Sequence, residues 1–234
     1  MLKLDNLSFS YNKKVVFKNA NVDCKANTNY FLVGPNGCGK STLLKIAMDL
    51  LKPTSGKLIL KSRDFNYMPA NNQVHPCLKV SDLLDLYLTN NEIYFSSDIY
   101  QKLNLAEINV SSFLSQLSSG QRQRLLLGLT LLKPAEIEFY DEPLNHLDYY
   151  YQNQFLQLIN NSKKMRLIVS HNLQDALSNE HARLLLIDNH QILDLGPSET
   201  AFNQPEIEKS FNIKLKVTDN PLNNKKLLAF TNYE

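Results

Sequence analysis

The sequence predicts an α/β fold: a mixed, mostly parallel sheet whose strands are interrupted by a helical insert. Three observations carry this. Short apolar runs of strand length recur at residues 2–9, 15–24, 30–33, 137–140, 167–169 and 184–187. A glycine-rich turn follows the third run and opens a helical stretch. From about 80 to 133 the apolar positions change to helical spacing, with Leu83, Leu84, Tyr87 and Leu88 on one face.

Residues 2–9 and 15–24 read as an N-terminal antiparallel β part, and the all-apolar run 30–33 as a buried strand. A helix is expected over 40–51, ended by Pro53 and Gly56. Residues 57–60 and 65–68 are further short strands. Ser81 is the expected N-cap where the helical insert begins. Strands return at 137–140, 167–169 and 184–187, with an edge strand at 191–196. The Tyr149, Tyr150, Tyr151 run is expected to pack at the start of a helix reaching Ile159. The tail from Ser198 reads as a short helical segment and an extended end. The whole chain forms one domain: a core of 1–79 and 134–200, a helical subdomain of about 80–133 and a tail of 201–234.

With 234 residues the chain is long enough to bury a large core. Its formal charge of +2 is too mild for a nucleic-acid binder on charge alone. Cys24, Cys38 and Cys77 have no paired spacing, which points to neither a disulfide framework nor a zinc site. The first ten residues lack the basic and apolar regions of a signal peptide. The longest apolar run, near 125–132, falls short of the roughly 20 residues a membrane span needs.

Gly34-Pro35-Asn36-Gly37-Cys38-Gly39-Lys40-Ser41 matches the phosphate-binding P-loop at every position, after an apolar strand and before a helix. Glycines let backbone N–H groups turn inward around phosphate oxygens, and the helix presents its positive N-terminus to the same anion. Lys40 reaches the β- and γ-phosphates, the Ser41 hydroxyl is placed to ligate Mg²⁺, and Thr42 adds a second hydroxyl. Cys38 reads as a small loop residue. Residues 137–142 form a strand ending in two carboxylates. Beside a P-loop, Asp141 would hold Mg²⁺ through water and Glu142 would polarise the attacking water. Glu138 departs from the apolar pattern of a central strand.

Further motifs identify a family resemblance. Leu117-Ser118-Ser119-Gly120-Gln121 resembles the signature of the ATP-binding cassette (ABC) family. Asp141-Glu142-Pro143 with Leu147-Asp148 resembles its Walker B and D-loop pair, Ile168-Val169-Ser170-His171 its switch loop, and Tyr11 its adenine-stacking aromatic. The resemblance runs from Tyr11 to His171 in the family's order. It implies that two copies sandwich two ATP molecules with Mg²⁺, each nucleotide held by one copy's P-loop and the other copy's Ser118, Ser119, Gly120 and Gln121. It implies that His171 contacts the γ-phosphate and that Asp148 carries contact between the copies. Two positions depart from the pattern. Ser119 stands where a glycine is common, and Ala70 stands where the Q-loop glutamine is expected, with Gln73 as a candidate substitute.

A single cassette without a membrane span resembles an importer subunit on the cytoplasmic face of the membrane. The resemblance implies integral membrane permease subunits and a substrate-binding protein as partners, and no nucleic acid. The tail, Gly196-Pro197-Ser198-Glu199 with the segments 208–213 and 217–221, resembles that of iron-chelate, haem and cobalamin importers. An exporter ATPase is the second reading. The third is a ribosome-associated cassette, since Asn145-His146-Leu147-Asp148 resembles the D-loop of that group.

Overall fold

The computed structural model describes residues 1–70, 77–88, 97–161, 163–179, 181–221 and 226–232. Strands β1 (Leu2–Tyr11), β2 (Lys14–Cys24) and β4 (Ser55–Leu60) form an antiparallel sheet in the order β2-β1-β4. The second sheet contains β3 (Asn29–Val33), β5 (Phe65–Met68), β6 (Ile137–Asp141), β7 (Met165–Val169), β8 (Ala182–Asp188) and β9 (Gln191–Pro197). Its order is β5-β6-β7-β3-β8-β9, parallel throughout except for β9, which runs antiparallel to β8. Each non-consecutive parallel neighbour needs a crossover, so helices cover the faces. Strands β3, β6 and β7 are buried at every residue.

Helix α1 (Lys40–Ala47) follows β3. It is four residues shorter than the sequence predicts, because Asp49 turns left-handed at φ 64°. The expected helical insert contains α2 (Val80–Tyr87), α3 (Asp98–Lys102), two 3₁₀ turns and α4 (Ser119–Leu132). Ser81 is not the N-cap. The N-cap is Lys79, two residues earlier, and the Asp82 carboxylate accepts from the Lys79 N–H at 2.8 Å. Helix α5 (Tyr149–Asn160) follows the acidic strand and α6 (Leu173–Leu177) follows β7. Of the tyrosine run, Tyr149 and Tyr150 are exposed. Tyr151 packs, with the Arg124 guanidinium 4.2 Å from its ring centroid.

The tail is more ordered than the sequence suggests. After α7 (Ser198–Ala201) and α8 (Pro205–Phe211), strands β10 (Ile213–Asp219) and β11 (Lys226–Asn232) pair antiparallel in continuous register. Ile213, Leu215, Val217 and Leu228 pack against the main apolar cluster.

Glu138 has its reason in this sheet. It pairs in register with Asn66 on one side and Arg166 on the other, and Arg166 pairs with Asn29. A polar row thus crosses four adjacent strands. The Arg166 Nε donates to Glu138 at 2.6 Å, as does the half-buried Lys164 ammonium, and the Tyr140 hydroxyl donates at 3.0 Å. Arg166 also donates to Asn29 Oδ1 and the Ile159 carbonyl, while Asn66 caps the Thr130 and Lys133 carbonyls. A buried charge is tolerable only when paired and hydrogen-bonded, as Glu138 is.

Candidate nucleotide site

The C-terminal ends of neighbouring parallel strands converge, which is where open α/β sheets place their ligands. Reading across the sheet, β5 runs out toward Ala70, β6 ends in Asp141 and Glu142, β7 leads to Ser170 and His171, and β3 leads into the P-loop. One backbone bond ties Glu142 N–H to the Val169 carbonyl at 3.0 Å, and another ties Ser170 N–H to the Leu32 carbonyl at 3.2 Å. The three loops are therefore fixed to one another by main chain.

Within the P-loop, Lys40 is buried and its ammonium donates to the carbonyls of Gly34 (2.7 Å) and Pro35 (3.1 Å). A full positive charge is thereby held in the concavity, at the N-terminus of α1. Gly39 is required by space as well as by φ (115°), since a Cβ there would lie 2.5 Å from Val16. That contact seats the β1–β2 hairpin, which carries Tyr11 at its turn, against the loop. Tyr11 is 43% exposed, with Phe9 edge-on at 4.9 Å. Pro35 and Cys38 are half-buried, and Asn36 and Gly37 are exposed. Burial pushes the Cys38 thiol up, so it stays neutral and is not a reactive thiolate.

Asp141 closes β6, buried, and shares a hydrogen bond with Ser41. Burial raises its carboxyl above the ordinary range, while the Ser41 bond opposes that rise. A hydroxyl and a carboxylate side by side below a phosphate loop are the hard oxygen donors that Mg²⁺ takes, usually with waters and phosphate oxygens completing the shell. Among the described residues there is no cluster of three or more His, Cys, Asp or Glu able to hold a metal. The Ser41 hydroxyl and Asp141 carboxylate fit an Mg²⁺ that a bound nucleotide brings with it. Thr42 follows Ser41 on α1, half-buried.

Glu142 sits in the left-handed region at φ 53°, a conformation that costs a non-glycine residue energy and clusters at functional sites. One carboxylate oxygen accepts from Asn145 Nδ2 at 2.5 Å, and the other lies 3.7 Å from His171 Nδ1. The His171 side chain is 55% exposed. Below it the Ser170 hydroxyl donates to Asp175 at 2.6 Å and accepts from the Asn172 N–H at 3.0 Å.

The structure thus brings together Lys40, Ser41, Asp141, Glu142 and His171. Ser118, Ser119, Gly120 and Gln121 sit on a separate element, the start of α4. Ser118 is its N-cap: its Oγ accepts from the Gln121 N–H at 3.2 Å, and Gln121 Oε1 accepts from the Ser118 N–H at 3.0 Å. Ser119 therefore occupies the first helical position, where a glycine's freedom is not needed. Gly120 is tighter, since a Cβ would meet the His146 carbonyl at 3.1 Å. Asp148 is the N-cap of α5, accepting from the Tyr151 N–H at 3.0 Å. Ala70 is half-buried just past β5; Gln73 lies outside the described residues. Sequence reasoning missed the roles of Asn145 and Asp175. Asn145 stands three residues after Glu142, one turn away, and that spacing was the available signal.

Fold and site together define a P-loop ATPase cassette. The ABC transporter family profile matches residues 17–145, and the chain belongs to that family. It is an ATP-hydrolysing subunit that uses ATP with Mg²⁺. The zinc import ATP-binding protein ZnuC of Buchnera aphidicola subsp. Baizongia pistaciae is 31% identical over 214 residues, spanning 88% of this chain and 87% of that one. Among solved structures, the inward-facing conformation of a putative metal-chelate type ABC transporter superposes with TM-score 0.80 at 21% identity, covering 100% of this chain and 97% of that one. The dimeric post-hydrolysis state of the cassette MJ0796 with ADP and Pi superposes with TM-score 0.69 at 23% identity, covering 82% and 96%. Both structural likenesses concern the fold.

Proposed function

We propose that the chain energises import of zinc, as the ATP-binding subunit on the cytoplasmic face of a transporter whose permease subunits are separate polypeptides. The observation that carries the ATPase half is the convergence of Lys40, Asp141, Glu142 and His171 at the ends of adjacent parallel strands. The zinc half rests on the import ATPases to which the chain is similar. This corrects the iron-chelate, haem or cobalamin expectation drawn from the tail. The physical reason is that selectivity lives in the permease and binding-protein subunits, so a likeness in the cassette's tail does not report the substrate. Zinc is cargo here, and it need never touch this chain.

In the mechanism, Lys40 and the P-loop amides bind the β- and γ-phosphates and Tyr11 stacks on adenine. Ser41 and Asp141 would hold Mg²⁺, which supplies neutralisation of phosphate charge. Glu142, oriented by Asn145, takes the proton of the attacking water. His171 contacts the γ-phosphate and keeps the water and Glu142 aligned. The amides and hydroxyls at the capped start of α4, from Ser118 to Gln121, reach a nucleotide in the second copy, and Asp148 lies at the seam between copies. Residues 1–79 and 134–200 make the nucleotide core, with 80–133 as the helical subdomain facing the permease and 201–234 as the tail.

The test is a capture experiment. Tagged Glu142→Gln chain is solubilised from native membranes with MgATP, and co-purifying proteins are identified. Recovery of a permease whose loss abolishes zinc uptake supports the proposal. A permease whose loss spares zinc but stops iron-chelate uptake refutes the substrate, and ribosomes or no membrane protein refute the transporter role.

A further inference from the structure

The C-terminal hairpin β10–β11 belongs to none of the motifs above, yet it is bonded to the segment that carries His171. Gln174 lies in the first turn of α6, three residues after His171. Its Nε2 donates to the Lys226 carbonyl at 3.0 Å and its Oε1 accepts from the Leu228 N–H at 2.9 Å. One side-chain amide thus serves as the ladder partner for the outer edge of β11, whose other edge pairs with β10. Beside this bond lies a cavity of about 230 Å³, with His171, Leu173 and Gln174 on one wall and Phe211, Leu228 and Phe230 on the other. The hairpin is itself anchored, because the Leu215 N–H donates to Glu208 of α8 at 2.7 Å.

Helix α6 has five residues, too few to hold its own shape in water. Its position is therefore set by its surroundings: Leu173, Ala176 and Leu177 are buried in the main core, and polar contacts grip it from two sides. On the site side the grip is Ser170, bonded to β3 and to Asp175. On the far side it is Gln174 and the hairpin. We infer that the C-terminal hairpin is an intramolecular brace for the switch-histidine segment, and that Gln174 is a positioning residue that sets ATP turnover through His171. This rests on the role proposed for His171 above. The Gln174 amide bonds to Ser178 and to the hairpin rather than to the P-loop or the acidic strand end, so loosening it leaves MgATP binding intact and misaligns the step that follows. Small misplacements of an aligning group cost turnover steeply.

The test compares wild type, Gln174→Leu, Leu228→Pro and His171→Ala, each as the full chain purified with its native membrane partners. Leu228→Pro removes the same hydrogen bond from the other side, at an edge N–H that β10 does not use. The expected result is a fall of about tenfold in kcat for Gln174→Leu and for Leu228→Pro, with KM for MgATP within about twofold of wild type. In Gln174→Leu the Leu228 amide should also exchange hydrogen faster, at unchanged melting temperature. Unchanged kcat in both brace variants while His171→Ala is inactive overturns the brace alone. An unchanged Leu228 exchange rate overturns it too. Wild-type turnover by His171→Ala instead refutes the histidine's role and leaves the hairpin's contacts without that consequence.

Discussion

Replacing Glu142 by glutamine should separate binding from chemistry. The substitution is nearly isosteric at a half-buried side chain that already sits in a left-handed turn, so the backbone needs no adjustment. The Asn145 amide at 2.5 Å still finds an oxygen to donate to. What is lost is the carboxylate's capacity to take a proton. A positioned general base contributes about 10²–10⁴ in rate, which is about 3–5 kcal/mol of barrier. Nothing in the contacts of Lys40 or Ser41 changes, so MgATP affinity should stay within about threefold of wild type. The assay is phosphate release under saturating MgATP, beside nucleotide titration and size-exclusion chromatography. The variant should accumulate an ATP-bound dimer. Wild-type turnover would place the base elsewhere and leave the strained conformation of Glu142 without a catalytic reason.

Three further outcomes follow from the geometry. Lys40→Ala removes the charge held between the Gly34 and Pro35 carbonyls and should weaken nucleotide binding by about 100-fold or more, read by fluorescent-nucleotide titration; equal affinity would refute the P-loop assignment. Arg166→Met leaves Glu138 buried with Lys164 as its remaining cation and should cost about 3–5 kcal/mol in urea unfolding, whereas adding Glu138→Leu should recover much of that; a single-variant loss under about 1 kcal/mol would contradict the pairing. Burial pushes the Asp175 carboxyl from 3.8 up to about 6, so the folded state holds its proton more tightly than the unfolded chain. The stability this gives is complete below about pH 4 and is lost as pH rises through 6, amounting to about 3 kcal/mol. Asp175→Asn should therefore raise the melting temperature by about 6–12 °C at pH 7.5, with the gain vanishing at pH 4; a gain of equal size at both pH values would show another cause.

Contiguous motifs were legible because their chemistry is local. The P-loop, the acidic strand end and the capped signature each occupy a handful of neighbouring residues. The strand–loop–helix context of Lys40 then placed them on the right elements. Long-range pairings were not legible. Glu138 stood out as misplaced, but its partner Arg166 is 28 residues away and reaches it only because β6 and β7 lie side by side. The tail hairpin carried a period-two signal in Ile213, Leu215 and Val217 against Lys214 and Lys216. Nothing in the sequence says that Gln174 supplies the outer edge of its second strand. Helix ends failed for a backbone reason, as Asp49 and Lys79 show, since left-handed turns and carboxylate caps shift boundaries without changing the apolar pattern.

The polar row across the sheet also bears on how the chain finds its fold. In a parallel sheet every strand is apolar on both faces, and a strand displaced by one residue would still bury grease against grease. Here a one-residue slip between β6 and β7 sets Glu138 against Met165 or Leu167, and Arg166 against Ile137 or Phe139, stranding two opposite charges in separate apolar surroundings. Misaligned assemblies are thus penalised at the moment they form. Asn66 and Asn29 extend the same discrimination to the strands on either side. The row works as an alignment key for strands contributed by segments far apart in the chain, and such pairings are the slow and error-prone part of assembling a fold of this kind.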